Sequence, residues 1–156
     1  MATNDTEKRM ITVAVAQSYQ TLMREGRWDD WSNLWAEDGL LEFPFAPEGR
    51  PSSYQGRKAI LDYMKGAAGK FTIVEASSTR IQPMLDPEVL CVELAIKGMM
   101  TDTGAPYNQK YVVFFVVKDG KLQNYREYWN PLVSMAAHGG YDQWMASLTR
   151  DGEKKV

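Results

Sequence analysis

The sequence predicts an α+β fold with helices packed on one face of an antiparallel sheet, and three observations carry that expectation. Apolar residues recur at helical spacing through the first third of the chain. From Phe71 onward the pattern changes to long runs of β-branched and aromatic residues in partial alternation, broken by tight-turn signals. The two kinds of element are segregated, helices first and strands later, which is how α+β domains are ordered.

Residues 1–7 are polar and read as a loose start. From Arg9 to Glu25, Met10, Val13, Ala14, Ala16, Leu22 and Met23 suit one face of a helix, with Tyr19 beside that stripe and Gly26 as its stop. Trp28, Trp31 and Trp35 recur at i, i+3 and i+7, so a second, short helix is expected to turn an aromatic face to the core. Asp38-Gly39 should end it, followed by a short strand from Leu40 to Phe45. Residues 46–55, with Pro47, Gly49 and Pro51, read as a loop, and helical spacing returns from Gly56 to Gly66 through Ile60, Leu61 and Met64.

Four long strands are then expected. Phe71–Met84 and Val89–Thr101 flank a turn at Asp86-Pro87, and residues 102–106 form a hairpin loop before Tyr107–Val117. Asp119-Gly120, inside Lys118–Lys121, is a strong two-residue turn signal ahead of a last strand from Leu122 to Leu132. Gly139-Gly140 precedes a short helix holding Tyr141, Trp144 and Leu148, and residues 150–156 read as a loose end. One domain is expected to span residues 1–156.

Composition narrows the function classes. The 156 residues are 44% apolar and 24% charged with a formal net charge of −2, the balance of a soluble globular protein. No basic stripe is present, which argues against nucleic acid or an anionic membrane as partner. No apolar stretch is long enough to span a membrane, and the first ten residues lack a signal-peptide core. The lone Cys91 forbids an intramolecular disulfide and fits a reducing cytoplasm. With one histidine and one cysteine a Cys/His zinc site is excluded, and no spaced carboxylate cluster suggests another metal. Ser18, Ser32 and Ser134 have no histidine at useful spacing, and no glycine-rich phosphate loop is present. A cofactor-independent function is therefore expected.

The stretch VAQSYQTLMREGRWDDWSNLWAED (residues 15–38) resembles the opening of the nuclear transport factor 2-like, or SnoaL-like, superfamily, which includes ketosteroid isomerase. KDGKLQNYREYWNPL (118–132) is similar to its last hairpin. The resemblance implies a cone: a curved antiparallel sheet wrapped around three helices from the N-terminal half, a short C-terminal helix, and a pocket at the open end. It also implies a homodimer through the outer face of the sheet, where Phe114, Val116 and Tyr128 would sit. Against ketosteroid isomerase, Tyr19 falls on the hydrogen-bonding tyrosine, but the base falls on Phe43 and the second donor near Val113. Neither of those side chains can exchange a proton, so that residue set is absent. CVELAIKGMM followed by GAPYNQKYVVFFVVKDGKLQNYREYWN looks nearer to the phenazine-biosynthesis A/B proteins. Their acid–base glutamate matches Glu127 within Arg126-Glu127-Tyr128, and their pocket histidine falls on Tyr63.

Period-two alternation puts Tyr125, Glu127 and Trp129 on one strand face and Arg126 and Tyr128 on the other. Trp129 aligns with a pocket aromatic of the isomerases, so its face is the expected pocket face. A carboxylate between two large aromatics loses hydration, which raises its pKa toward neutrality and suits it to proton transfer. Glu127 and Tyr19 are therefore the expected catalytic pair, with Phe43, Tyr63, Val113, Tyr125, Trp129 and His138 as substrate-binding residues. The competing reading is that Glu127 only bonds a tyrosine or pairs with an arginine and specifies the core. Glu42 is expected to face outward, Asp38 to serve a turn or cap, and Glu93 is unassigned.

The function that follows is a lyase, isomerase or cyclase acting on a small hydrophobic, aromatic or polycyclic metabolite. A non-catalytic carrier of an apolar molecule and a protein-interaction domain are the alternatives.

Overall fold

The computed structural model describes residues 4–152, with side chains described for all but 77–79 and 148–152. The expected loose ends thus lie partly outside the described residues, as does the Leu148 side chain. The described part of the N-terminus is ordered: α1 runs Asp5–Arg24, not from Arg9. The Asn4 side chain accepts a 2.8 Å bond from the Glu7 amide, and Asp5 and Glu7 place negative charge at the positive end of the helix dipole. Its buried stripe is Thr12, Val15, Ala16 and Tyr19, whereas Met10, expected inside, is 68% exposed.

The tryptophan helix is shorter than its spacing suggests. Helix α2 covers Trp28–Asn33, and Trp35 opens strand β1, Trp35–Glu42. Trp31 and Trp35 are nonetheless both fully buried. Asp38-Gly39 therefore lies inside a strand, not at a helix end. The strand bulges there: register passes from Trp35↔Leu122 to Leu40↔Asn124. A Cβ on Gly39 would stand 2.8 Å from the Trp35 ring, so glycine permits the bulge to close over that indole.

Strand β2 (Ser53–Gln55) lies within the expected loop, and α3 is Arg57–Ala68. Strands β3 (Phe71–Pro83), β4 (Val89–Met100), β5 (Pro106–Lys118) and β6 (Lys121–Trp129) form the expected meander. Asp119 (φ 50°) and Gly120 (φ 74°) both adopt the left-handed conformation that a two-residue hairpin turn between β5 and β6 requires. The last strand stops at Trp129, because Asn130 caps a new helix, α4 (Pro131–Ala137), through a 3.0 Å bond to the Leu132 amide. Helix α5 is Tyr141–Gly152.

The six strands form one curved, unclosed sheet in the order β2-β1-β6-β5-β4-β3. Its meander is antiparallel, but β1 joins β6 in parallel, a departure from the all-antiparallel sheet expected. Helices α1 to α3 cover one face and α4 and α5 follow the last strand, so the fold is α+β. An aromatic core seals the junction. Tyr19 lies 5.2 Å from Trp31 and 5.3 Å from Phe115, and Phe115 lies 5.0 Å from Tyr125, all between ring centroids.

Candidate active site

Register between β5 and β6 builds one wall of the site. Tyr111 stands opposite Trp129, Val113 opposite Glu127 and Phe115 opposite Tyr125, all six on the face turned toward the helices. Glu127 is the carboxylate of this row. Its Oε2 accepts a 2.9 Å hydrogen bond from the Tyr125 hydroxyl. Protein surrounds it, yet it stays partly accessible, as a group lining a recess does.

Burial pushes the Glu127 carboxyl up to about 7, against the opposing pull of the Tyr125 bond and of the Arg50 charge. Four tyrosines feel that carboxylate: Tyr19 from α1, Tyr63 from α3, Tyr111 from β5 and Tyr125 from β6. Burial is the main cause that raises each of them above the ordinary phenol value, Tyr63 to about 12. All four hydroxyls are thus neutral near pH 7 and able to donate hydrogen bonds.

Two members of the site come from segments whose placement the sequence does not reveal. Arg50, from the loop between β1 and β2, lies with its guanidinium carbon 5.3 Å from the Trp129 ring centroid. Its Nη2 donates to the Tyr63 hydroxyl at 3.2 Å. Tyr54 on β2 stacks on Tyr63 at 4.3 Å between centroids, and Phe43 meets Tyr63 at 5.3 Å. Tyr111 was also missed, although it shares the parity of Val113 and Phe115 along β5 and alternation could have found it.

The expected residues divide by depth. Tyr63 is half-buried beside the accessible Glu127, whereas Tyr19, Phe43, Val113, Tyr125 and Trp129 are buried. Val113 is fully enclosed in the wall. The Tyr19 hydroxyl is sealed from solvent and lacks a hydrogen bond of good geometry, although it perturbs the neighbouring Tyr125 hydroxyl. Its ring stacks on that of Tyr125 at 4.8 Å and 20°. Tyr19, expected to touch a substrate oxygen, packs here against Tyr125 with its hydroxyl enclosed.

His138 is not brought to Glu127. It ends α4, with Nδ1 2.7 Å from the Ser134 carbonyl oxygen, and its ring lies 6.5 Å from Trp144. Trp144 in turn meets Trp129 at 6.3 Å, which links His138 to the wall through two rings. Glu93 faces outward and accepts a 2.8 Å bond from Gln82. Among the described residues no group of three His, Cys, Asp or Glu side chains could hold a metal ion, and no helix is long and apolar enough to cross a membrane.

A concavity of about 900 Å³ opens along β4, β5 and β6; its lining includes Phe45, Glu93, Val112 and Tyr128 and also Tyr111 and Trp129, but not Glu127.

Known proteins align with both the fold and the sequence. The uncharacterised protein YesE of Bacillus subtilis is 34% identical over 140 residues, covering 90% of this chain and 93% of YesE. An uncharacterised PhzA/B-like protein of Pseudomonas aeruginosa is 31% identical over 121 residues, 78% of this chain and 85% of its own. A crystal structure from Bacillus subtilis, of a protein named provisionally as an isomerase, superposes with a TM-score of 0.79 at 32% identity. It covers 89% of this chain and 98% of that one. The SnoaL-like domain profile matches residues 15–125, and the chain belongs to the SnoaL-like family.

Proposed function

We propose that the protein is a cofactor-independent acid–base enzyme of the lyase, isomerase or cyclase type, acting on a small hydrophobic, aromatic or polycyclic compound. One observation carries this reading: a partly accessible carboxyl, Glu127, whose burial places it near half-protonation at neutral pH. Such a group can take a proton from a carbon beside a carbonyl and return it at another atom. The neutral hydroxyls of Tyr63 and Tyr111 are the donors for the oxygen that gains charge, since both are half-buried and both feel Glu127. Tyr125 holds the carboxylate, and Tyr19 supports Tyr125 by stacking. Phe43 and Trp129 supply apolar wall.

The test is solvent-deuterium exchange at the α-carbon of a panel of aromatic ketones and β-keto acids, followed by NMR. Glu127→Gln should slow exchange roughly a hundred- to ten-thousand-fold. A folded variant with unchanged exchange sinks the reading.

A carrier function is the second reading, favoured by apolar Phe43 and Val113 where the isomerases have acids. Native mass spectrometry of protein from its host, then incubation of any bound compound, separates the two: a compound recovered unchanged across a range of pH favours the carrier. A homodimer through the outer face is part of either reading. Val112 and Phe45 are exposed there, beside Phe114 and Tyr128. A reducing, cytoplasmic setting fits the lone Cys91.

A further inference from the structure

The β1–β2 loop brings a cation into the site whose charge reaches the Glu127 carboxyl without forming an ion pair with it. Among the described residues no carboxylate forms an ion pair with Arg50. Among the described residues its guanidinium makes one hydrogen bond, to the Tyr63 hydroxyl, which engages one of five N–H groups. The guanidinium carbon lies over the Trp129 ring at 5.3 Å, which together with the Tyr63 bond limits where the remaining donors can point. Arg50 is also the cation whose charge reaches both Glu127 and Tyr63, which sets it beside the reacting carboxyl.

A half-buried guanidinium attracts an anion more strongly than the same group in bulk water, because screening is weaker there. One planar fork matches one planar carboxylate, which accepts two parallel N–H bonds. A phosphate dianion calls for more positive charge than this site provides.

The geometry points to a substrate that is itself an acid: an aromatic or polycyclic frame bearing a carboxylate, with the carboxylate paired to Arg50 and the frame beside Tyr63 and Tyr111. This rests on the Glu127 recess being the binding site. Arg50 is then the residue that selects acids over neutral compounds of the same shape and fixes which carbon faces Glu127.

Calorimetric titration with matched probe pairs tests it: benzoate against benzamide, 2-naphthoate against 2-naphthamide, and anthracene-2-carboxylate against its amide. Wild type should prefer the acid on the order of 10- to 100-fold, the range of a charge-assisted hydrogen bond. Arg50→Gln should lose the preference, binding acid and amide with similar affinity. Arg50→Lys should keep only part of it, since the charge remains but the fork is gone. Equal affinity for acid and amide in wild type, or a preference undiminished in the variants, overturns the inference and leaves the recess reading intact. Where Arg50→Gln fails to fold, an undiminished preference in Arg50→Lys overturns it equally. Failure of wild type to bind any probe overturns the recess reading, and the inference with it.

Discussion

The Tyr125 hydroxyl donates a 2.9 Å hydrogen bond to Glu127 two residues along the same face of β6. A bond of this kind stabilises the carboxylate and pulls its pKa down, and the Arg50 charge acts in the same direction. The carboxyl nevertheless stands at about 7, above its ordinary 4.5, so loss of hydration outweighs both partners together. The imbalance has consequences that can be measured without a substrate.

The first concerns stability. Between pH 4.5 and about 7 the folded protein holds a proton on Glu127 that the unfolded chain has released. Stability from this group therefore falls as pH rises through that window and is level beyond it. The gap corresponds to about 3 kcal/mol. Glu127→Gln removes the slope, so urea midpoints of variant and wild type should converge near pH 4.5 and separate in favour of the variant by pH 8. A difference that does not change with pH would show that the carboxyl is not desolvated.

Removing the Tyr125 hydroxyl takes away a bond to the charged form. Tyr125→Phe should therefore move the Glu127 titration further up, read by carbon NMR of labelled glutamate across pH. Phenylalanine at Tyr63, which does not bond Glu127, should leave it nearly in place. An unchanged or lower titration in Tyr125→Phe contradicts the assigned bond.

Two glycines should respond in opposite directions. A Cβ on Gly98 would stand 2.7 Å from the Thr72 carbonyl and 3.3 Å from that of Tyr107, wedging β4 from both neighbours. Gly98→Ala should cost about 1–3 kcal/mol. Gly66 lies within α3 with nothing within 4 Å of a new Cβ, so Gly66→Ala should stabilise by about 0.5–1 kcal/mol. Chemical denaturation distinguishes these signs directly.

The outer face gives a prediction about assembly. Val112 is 38% exposed and Phe45 57%, and Phe45 packs on Tyr128 at 5.1 Å. Sedimentation should show a dimer at micromolar concentration, and Val112→Arg should shift it toward monomer with the circular dichroism unchanged. A monomeric wild type refutes the dimer.

The sequence alone determined that Tyr125, Glu127 and Trp129 share one face of β6, because side-chain direction in a strand has a period of two. The Asp119-Gly120 turn sets the pairing only as far as Val117↔Leu122; a bulge then shifts it to Val116↔Asn124, and that bulge decides which face carries Glu127. The sequence also determined that Trp31 and Trp35 are core, because a tryptophan stripe at that spacing turns toward the interior. Helical spacing failed for Trp35: a parallel pairing with β6, far along the chain, is a long-range choice that local periodicity does not encode. The placement of Arg50 on Trp129, the sealing of the Tyr19 hydroxyl and the convergence of four tyrosines on one carboxylate were decided by tertiary structure. Hydration loss and electrostatic attraction sum over groups near in space, and those around Glu127 come from α1, the β1–β2 loop, α3, β5 and β6. Alternation could group the glutamate with Tyr125 and Trp129; only the assembled fold could bring its proton near neutrality.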